Sequence, residues 1–442
     1  MCGAPPGQRR RAGPALARAE RHRAHRTHRP RHPVTRWAAD RDAIRIRARA
    51  HPAPATSLGG TIPESSPSQS LGILEIAHRG AGFLRRRDAS YLPSSGDVHV
   101  SERLIRQHHL RIGDEIAGVV GRSGKGRGPA LERVTGINGR APEAIGERPE
   151  YSRLTATHPN EQLILECGLT RQGQRDYTDR VIDLMCPFGK GTRALIVAPA
   201  KAGKTMVLQA IAEGVSRNNP QALLLILLVD ERPEEVFEIE AGGFGEVVAS
   251  TFDHPADRHV AVAELTLERA RRRVELGEDV VLIVDSLTRL ARAYNTVERG
   301  TGRTLSGGLD ATSLEKPKRF LGSARRIDPA RGGGSLTIVA TALVDTGSKM
   351  DQVIFEEFKG TGNSELVLSR ELAERRVFPA IDLVASATRR EELLLSPEAL
   401  AASHQIRNRI AGMSPLNAMN DLLVDMRKTK TNAELVAAMA AV

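Results

Sequence analysis

The chain has few aromatic residues and few cysteines for its length. Phenylalanine, tryptophan and tyrosine make up 3% of the 442 residues, so any core must be built from leucine, isoleucine, valine and alanine. The three cysteines, Cys2, Cys167 and Cys186, show no metal-ligand spacing and cannot all pair with one another. This usage argues against a disulfide scaffold or a zinc module, and it predicts a reduced, cytoplasmic environment.

Long apolar runs are also missing. The longest, Ala222 to Val229, is far shorter than the roughly 20 residues that a membrane-spanning helix needs. The N-terminus is rich in arginine but has no apolar segment of the kind found in secretory signals. Organelle transit peptides are rich in serine, yet the first serine here is Ser57. We therefore expect a cytoplasmic protein that does not associate with membranes.

The net charge of +11 belongs to the first 60 residues. That segment has fourteen arginines, no lysine and three acidic residues, and the rest of the chain balances to about zero. Residues 1–68 have almost no apolar periodicity, which predicts a disordered arginine-rich tail. Such a tail would bind RNA by electrostatic attraction to the RNA phosphates. A solvated extension, or a start assigned too far upstream, explains the same composition equally well.

Two folded regions are expected after the tail. Residues 69–142 hold short strand-like segments separated by Gly, Ser and Asp turns, which predicts a small five-stranded barrel. Residues 143–180 are expected to be a linker. Residues 181–442 alternate apolar runs with helical stretches, which predicts an α/β domain with a parallel sheet covered on both faces.

Four apolar runs define the expected sheet, and the C-terminal segment is expected to be helical. From Pro397 onward the pattern indicates two or three helices, broken at Ser414–Pro415 and around Thr431. The four runs are "ALIV" (194–197), "ALLLILLV" (222–229), "VVLIV" (280–284) and "SLTIVATALV" (335–344).

The stretch "APAKAGKT" (198–205), which we call the phosphate loop, has the chemistry of a nucleotide-binding turn. It follows an apolar strand and precedes a helix whose apolar residues recur every four positions from Val207. Gly203 lets the backbone curl so that N–H groups and the helix N-terminus face phosphate oxygens. Lys204 is predicted to reach the β- and γ-phosphates, and Thr205 to offer its hydroxyl to Mg²⁺. ATP and Mg²⁺ are therefore the expected cofactors.

Two carboxylates stand at the ends of predicted strands. Asp285 ends "VVLIVDS", where it is suited to hold Mg²⁺ beside the phosphate loop or to cap the next helix. Glu231 follows "LLVD", where a carboxylate would orient or deprotonate the attacking water. Position alone leaves Asp230, Glu234 and Glu235 as alternatives to Glu231.

Longer stretches carry a resemblance to a known family. The segments "APAKAGKT", "LLVDERPEEV", "GEVVASTFDHPADRH", "DSLTRLARAYNTV", "ATALVDTGSKMDQVIFEEFKGTGN" and "ERRVFPAID" resemble the bacterial transcription termination factors of the Rho family. The resemblance runs from about Leu71 to the C-terminus. It implies a RecA-like, rotary-ATPase-like core preceded by a cold-shock-like OB barrel, and a homohexameric ring that moves 5′ to 3′ along RNA.

The resemblance also assigns roles around the nucleotide. Glu231 becomes the favoured catalytic base, and Arg389 matches an arginine finger donated to a neighbouring subunit's ATP. Arg376 is implied beside the same subunit interface as Arg389. Phe378 matches the aromatic residue that packs on adenine, and Arg232 is implied as a contact on the phosphate side. The remaining nucleotide contacts that it implies are Gly189, Lys190, Gly191, Thr192, Arg193 and Ala194 in "FGKGTRA", and Lys201, Ala202 and Met206 around the phosphate loop.

RNA contacts are implied in two places. In the ring channel the resemblance implies two loops, "RTLSGGLD" (303–310) with Arg303, Ser306, Gly307 and Gly308, and "VDTGSKM" (344–350) with Lys349. On the barrel it implies Gly80, Gly82, Phe83, Arg85 and His99.

The barrel departs from the family pattern. Ala81 and His99 stand where aromatic residues are usual, and "GKGRGPALERV" has none where one is expected. Each stacked base contributes roughly 1–3 kcal/mol, so losing these rings weakens the expected site. The basic residues expected to compensate through charge are Arg85, Arg86, Arg87, Lys125 and Arg127.

The combined expectation is an RNA-dependent ATPase that ends transcription by pulling on nascent RNA, with RNA polymerase complexes as partners. A rotary or secretion-type ATPase subunit would share the core but not the barrel. A degraded paralogue that binds RNA without terminating transcription would explain the missing barrel aromatics.

Overall fold

The computed structural model describes most of the chain beyond the tail. Predictions for residues 1–67, and for Arg303, Ser306, Lys125 and Arg127, lie outside the described residues. The described residues are 68–77, 80–122, 128–171, 173–298, 307–310 and 312–441.

The first folded region is a closed barrel, as predicted. Its strands are β1 Ser68–Ile76, β2 Gly82–Arg85, β3 Val98–Val100, β4 Glu115–Arg122 and β5 Pro129–Ile137, with helix α1 Glu102–Gln107 after β3. They close in the order β1-β2-β3-β5-β4. Within β2 the side chains alternate, so Leu84 is buried in the barrel while Phe83 faces outward.

Residues 143–180 pack on both neighbouring regions. They contain β6 Ala156–Thr157, the hairpin β7 Thr170–Arg171 with β8 Gln174–Arg175, and the start of helix α2 Thr178–Met185. Tyr151 is buried and donates its hydroxyl hydrogen to the carbonyl of Ser323 at 2.5 Å. The expected linker is therefore a packed connector. Its elements are too short to produce a hydrophobic period in the sequence.

The second folded region is built on a mainly parallel sheet. Neighbouring strands follow the order β11-β10-β12-β14-β9-β15-β16, with β16 antiparallel at one end and β13 antiparallel on β14. The four predicted runs form β9, β10, β12 and β14. The strands are β9 Arg193–Pro199, β10 Leu223–Glu231, β11 Glu246–Thr251, β12 Asp279–Asp285, β13 Arg325–Ile327, β14 Ser335–Val344, β15 Ser364–Val367 and β16 Ala387–Thr388.

Helices cover both faces of this sheet, which confirms the predicted α/β class. One apolar core lies between the sheet and α3, and a second lies between the sheet and α5 and α6. The helices are α3 Lys204–Asn218, α4 Pro233–Gly242, α5 Ala256–Val274, α6 Leu287–Val297, α7 Glu315–Leu321, α8 Lys349–Lys359 and α9 Arg370–Glu374.

The C-terminal segment forms three helices, broken where the sequence indicated. They are α10 Pro397–Ile410, α11 Pro415–Lys428 and α12 Asn432–Ala440. The buried side chain of Arg180 joins α2 to the end of α11 and the turn before α12, because its guanidinium donates to the carbonyls of Met426, Thr429 and Thr431. Among the described residues, no helix has the length and apolar character needed to cross a membrane.

Candidate ATP site and RNA-binding surfaces

The phosphate loop connects the end of β9 to the start of α3. Lys201 and Gly203 both have left-handed backbone angles, with φ of +63° and +83°. Helix α3 begins at Lys204 without a side-chain cap among the described residues, so its first N–H groups are available to an anion. Val207 and Ile211 are buried, which is the helix face that the sequence predicted.

Lys204 lies between the two predicted carboxylates. Its Nζ is 2.7 Å from Glu231 Oε1 and 2.7 Å from Asp285 Oδ2. The three residues come from three different elements, namely α3, β10 and β12, whose ends meet at the carboxyl edge of the sheet. The structure thus assembles the predicted catalytic lysine and both acids at one point.

A single-residue bulge directs Glu231 to that point. Side chains of β10 alternate between the two cores, with Leu228 on the α3 face and Val229 on the α5 face. Regular alternation would therefore aim Glu231 at α5, away from the phosphate loop. Asp230 has a φ of +56°, and the pairing of β10 with β11 shifts register between Val229 and Glu231. This bulge turns Glu231 back to the α3 face, where Lys204 lies.

The charges at the site alter one another's pKa values. Burial and the nearby charge of Asp285 raise the pKa of Glu231 above its usual value, and Lys204 only partly offsets this. Burial lowers the pKa of Lys204, but Asp285 and Glu231 outweigh it, so the pKa is raised. Glu231 is 1% exposed, and its Oε2 has no hydrogen-bond partner among the described residues. That oxygen is suited to accept a hydrogen bond from a water molecule.

Asp285 is held in place without capping the following helix. Thr341 on β14 donates its hydroxyl hydrogen to Asp285 Oδ1 at 2.6 Å. Helix α6 is capped by Ser286, whose hydroxyl accepts from the Arg289 amide, so Asp285 is not needed as a cap. Within the described part of the chain, Asp285 Oδ2 pairs with Lys204 alone. This arrangement suits a carboxylate that exchanges an ammonium group for a cation.

The oxygen ligands that this chain offers at the site are of the kind that binds Mg²⁺. Thr205, in the first turn of α3, and Asp285 are oxygen donors, and Mg²⁺ is usually held by one or two protein oxygens together with phosphates and water. No group of three or more His, Cys, Asp or Glu side chains able to hold a metal occurs in the described ranges.

Further predicted contacts surround the phosphate loop. Phe378 lies beside it, because a Cβ added to Gly203 would be 3.5 Å from the Phe378 ring. Arg376, two residues earlier, is exposed with a φ of +58°. Arg232 directly follows Glu231 and is exposed at the start of α4. Of the loop residues, Lys201 is exposed, Ala202 is buried, and Met206 uses its carbonyl to accept from Arg171.

The structure does not bring the segment from Gly189 to Ala194 to the phosphate loop of the same chain. Gly189, Gly191 and Thr192 precede β9, and Arg193 and Ala194 begin it, whereas the loop follows its other end, about 20 Å away at 3.3 Å per residue. Lys190 is bound there by Glu161 at 2.5 Å and Asp279 at 2.8 Å. Its contact with a nucleotide therefore stays a prediction, and within this chain the segment lies at the sheet edge opposite the phosphate loop.

Arg389 lies at this same distal edge. Its amide donates to the carbonyl of Asn363, and the side chain of Asn363 accepts from the Arg193 amide. The Arg389 side chain is exposed and forms no ion pair within the described part of the chain. It cannot reach the phosphate loop of its own chain, and any role as an arginine finger requires a second copy.

On the barrel, the structure brings the predicted RNA-binding residues together. Phe83 on β2 pairs with His99 on β3, and their rings meet edge to face with centroids 5.7 Å apart. Phe83 is 37% exposed, and the Arg85 guanidinium lies 5.3 Å from its ring. Gly82 permits close strand approach, since a Cβ there would be 2.6 Å from the Glu75 carbonyl. We call Phe83 and His99 the stacking surface.

Three of the barrel arginines that were expected to attract RNA are paired with carboxylates. Arg85 is paired with Glu75 and Asp97, Arg86 with Asp88, and Arg87 with Glu115 and Glu246. An RNA phosphate must compete with these carboxylates, so the three arginines offer less free charge than the sequence suggested. Gly80, which precedes β2, has a φ of +79° and shapes the turn into it.

The two loops predicted to face a channel touch each other. Gly307 has a φ of +82°, and a Cβ there would be 2.6 Å from the amide nitrogen of Met350. Lys349 is exposed at the start of α8, and Gly308 is exposed next to Gly307. A cleft of about 550 Å³ lies between Gly307 and Lys349, and Arg292 and Asn295 also line it. Arg303 and Ser306 fall outside the described residues.

Three features of the ATP site were not found from the sequence. Arg289 donates to the carbonyl of Asp230 and lies 3.4 Å from Glu231, and Thr341 fixes Asp285. The bulge at Asp230 is the third. Arg289 follows Asp285 by four positions, about one helical turn. This spacing is the one feature of the sequence that could have indicated Arg289. Nothing in the sequence pattern marks the other two.

Comparisons with known proteins agree with this architecture. Residues 179–388 match the ATP synthase alpha/beta family, nucleotide-binding domain, and residues 70–143 match the Rho termination factor, RNA-binding domain. A solved ATPase from the type III secretion system of pathogenic bacteria is 27% identical, with a TM-score of 0.52 over 66% of this chain and 77% of that chain. The assembled ATPase EscN from enteropathogenic E. coli is 26% identical, with a TM-score of 0.50 over 66% and 65%.

The fold and the site define an ATP-hydrolysing P-loop enzyme that carries an RNA-binding barrel. The transcription termination factor Rho of Pseudomonas aeruginosa is 52% identical over 369 residues, which span 83% of this chain and 87% of that protein. The Rho of Gemmatimonas aurantiaca is 53% identical over 379 residues, and this chain spans about half of its length. The chain belongs to the family of transcription termination factor Rho.

Proposed function

We propose that this protein is an RNA-dependent ATPase that works as a homohexameric ring, moves 5′ to 3′ along nascent RNA and thereby ends transcription. RNA polymerase complexes are then its cellular partners. The observation that carries this proposal is the presence, in one chain, of the Lys204–Glu231–Asp285 cluster and of a barrel with an exposed stacking surface. A secretion-type ATPase would need no such barrel.

The catalytic roles follow from the geometry of the ATP site. Lys204 would move from the two carboxylates to the phosphates of bound ATP. Glu231, whose Oε2 has no hydrogen-bond partner among the described residues, would orient and deprotonate the attacking water. Thr205 and Asp285 would hold Mg²⁺, which when bound neutralises charge on the phosphates.

The ring is supported by the position of Arg389. An arginine finger stabilises charge on the transferred phosphate and contributes on the order of 10³–10⁵ in rate. Because Arg389 lies at the sheet edge opposite its own phosphate loop, it would serve a nucleotide bound to the next copy. The cleft between Gly307 and Lys349 would grip RNA in the ring channel.

The test is the rate of ATP hydrolysis by the full chain with poly(C), poly(U), RNA of mixed sequence, and no RNA. We expect RNA to stimulate hydrolysis. Equal rates with and without RNA would favour a secretion-type ATPase. Binding of RNA without any hydrolysis would favour a degraded paralogue.

A further inference from the structure

The bulge at Asp230 decides which carboxylate faces the phosphate loop. In a regular β10, Asp230 would share the face of Ile226 and Leu228, and Glu231 would share the face of Val229. With the bulge, Glu231 faces Lys204 and Asp230 lies on the other side of the sheet. A left-handed backbone at a residue other than glycine costs free energy, so neighbouring groups must stabilise it.

Two side chains flank the bulge: Arg289 reaches both Asp230 and Glu231, and His259 lies on the face opposite the phosphate loop. Arg289 on α6 donates to the Asp230 carbonyl, and its guanidinium lies 3.5 Å from Asp230 Oδ2. His259 on α5 places its Nε2 4.0 Å from Asp230 Oδ1. Arg289 is therefore bonded to Asp230 directly, whereas His259 faces Asp230 from beyond hydrogen-bond distance.

His259 is itself fixed from behind. Its Nδ1 lies 2.7 Å from the hydroxyl of Ser250 on β11, and the ring is buried. Ser250 pairs in register with Val229, the last residue before the bulge. A neutral imidazole has one donor and one acceptor nitrogen. With the Asp230 carboxylate facing Nε2, the favoured tautomer has the proton on Nε2, and Ser250 donates to Nδ1.

The environment of the ring keeps it neutral. Burial lowers the pKa of His259, and the charges of His254 and Arg289 act in the same direction, whereas Asp230 and Asp257 oppose them. The ring therefore acts through the direction of its N–H group rather than through a full charge.

We propose that His259 is a positioning residue for ATP hydrolysis: anchored by Ser250, it directs its N–H group at Asp230 and so favours the bulge that presents Glu231 to the phosphate loop. The inference rests on the proposed role of Glu231 as catalytic base. It adds that the identity of the catalytic carboxylate depends on a histidine in contact with neither the phosphate loop nor Glu231. Without this support β10 is free to become regular, which would aim Asp230 at the phosphate loop and Glu231 away from it.

Two variants distinguish the contact of His259 Nδ1 from that of His259 Nε2. His259→Asn retains a polar group near Nδ1, for Ser250, but does not reach Asp230. His259→Gln reaches toward Asp230. We expect kcat to fall at least tenfold in His259→Asn and to stay within about threefold of wild type in His259→Gln, with the KM for ATP nearly unchanged in both. His254→Asn is the matched control, since it removes a second imidazole near this strand end, whose ring lies 3.4 Å from the Thr251 hydroxyl.

A double-mutant comparison tests the exchange of carboxylates directly. In the wild-type background Glu231→Gln should reduce kcat far more than Asp230→Asn. In the His259→Asn background the penalty of Glu231→Gln should shrink and that of Asp230→Asn should grow.

Steady-state ATP hydrolysis by the full chain with RNA, together with the melting temperature of each variant, decides the matter. Unchanged kcat in His259→Asn would overturn the inference, as would a loss of kcat that follows melting temperature equally in both His259 variants. Penalties that do not change between backgrounds would also overturn it. A wild-type protein that hydrolyses no ATP would instead overturn the proposed function.

Discussion

Lys204 Nζ lies 2.7 Å from Glu231 Oε1, although 27 positions separate the two residues in the chain. The ammonium group of Lys204 is thus bound to the carboxylate that the proposed mechanism uses as the catalytic base. In the proposed mechanism ATP draws Lys204 toward its phosphates, which releases Glu231 Oε1 from the ammonium group. The nucleotide would in this way release its own catalytic base.

Substitutions at these two residues should have different kinetic effects. Lys204→Ala removes the phosphate contact and leaves Glu231 and Asp285 close together without a cation, so we expect nucleotide affinity and activity to be lost. Glu231→Gln should still bind ATP but lose on the order of 10²–10⁴ in kcat, the usual contribution of a general base. Nucleotide binding and turnover are measured separately. Turnover like that of wild type in Glu231→Gln would point to Asp230 or Glu234.

The pH dependence of kcat should show a raised acid limb. Burial and Asp285 raise the pKa of Glu231, and only the ionised carboxylate can accept a proton from water. Activity should therefore be complete above this raised pKa and fall as the pH drops through it. In the proposed ATP complex Lys204 moves away from Glu231, and the loss of that positive charge shifts the limb further up. A limb at the usual glutamate pKa in a kcat profile would contradict the prediction.

Arg389 should act on a neighbouring subunit. Rings mixed from Arg389→Ala and Glu231→Gln subunits contain some interfaces with an intact finger and an intact base, so mixing should restore part of the activity. Arg390→Ala is the matched control, because Arg390 pairs with Glu392 in its own chain. If mixed rings form and no mixture exceeds the inactive parents, the finger assignment is wrong.

The N-terminal tail should supply the electrostatic part of RNA loading. Since Arg85, Arg86 and Arg87 are paired with carboxylates, residues 1–60, with fourteen arginines against three acids, are the larger source of net positive charge. Deleting residues 1–60 should lower RNA affinity several-fold and flatten its dependence on salt, because fewer counterions are released. ATP hydrolysis at saturating RNA should survive. An unchanged salt slope, with a strong preference for C-rich RNA, would show that the tail is inert.

Substitutions in the stacking surface and in the cleft between Gly307 and Lys349 should have different effects on RNA binding and on RNA-stimulated hydrolysis. Phe83→Ala removes a ring worth roughly 1–3 kcal/mol per stacked base, so it should weaken RNA binding while saturating RNA still stimulates hydrolysis. Lys349→Ala should abolish stimulation even with the tail present. RNA affinity and RNA-stimulated hydrolysis are measured for both variants. Loss of stimulation in Phe83→Ala at saturating RNA would place the stimulating contact on the barrel instead.

The sequence was informative where long apolar runs made the pattern clear. The runs that became β9, β10, β12 and β14 are apolar because both faces of the sheet are covered, and that burial is visible in composition alone. The phosphate loop was equally clear, since a glycine, a lysine and a hydroxyl residue between a strand and a helix have few other uses. Shorter pieces, such as β11 and the connector, gave no comparable signal.

The sequence by itself determined the class of fold, the phosphate loop, and the set of acids from which the catalytic carboxylate is drawn. Tertiary structure decided which acid faces Lys204, because a one-residue bulge reverses the alternation of β10 and is bonded by Arg289 from a distant helix. It also decided which arginines are paired with carboxylates, because Arg85 meets Glu75 and Asp97 only when the strands of the barrel come together. Side-chain direction and charge neutralisation depend on neighbours brought together by folding, and a linear pattern does not contain them.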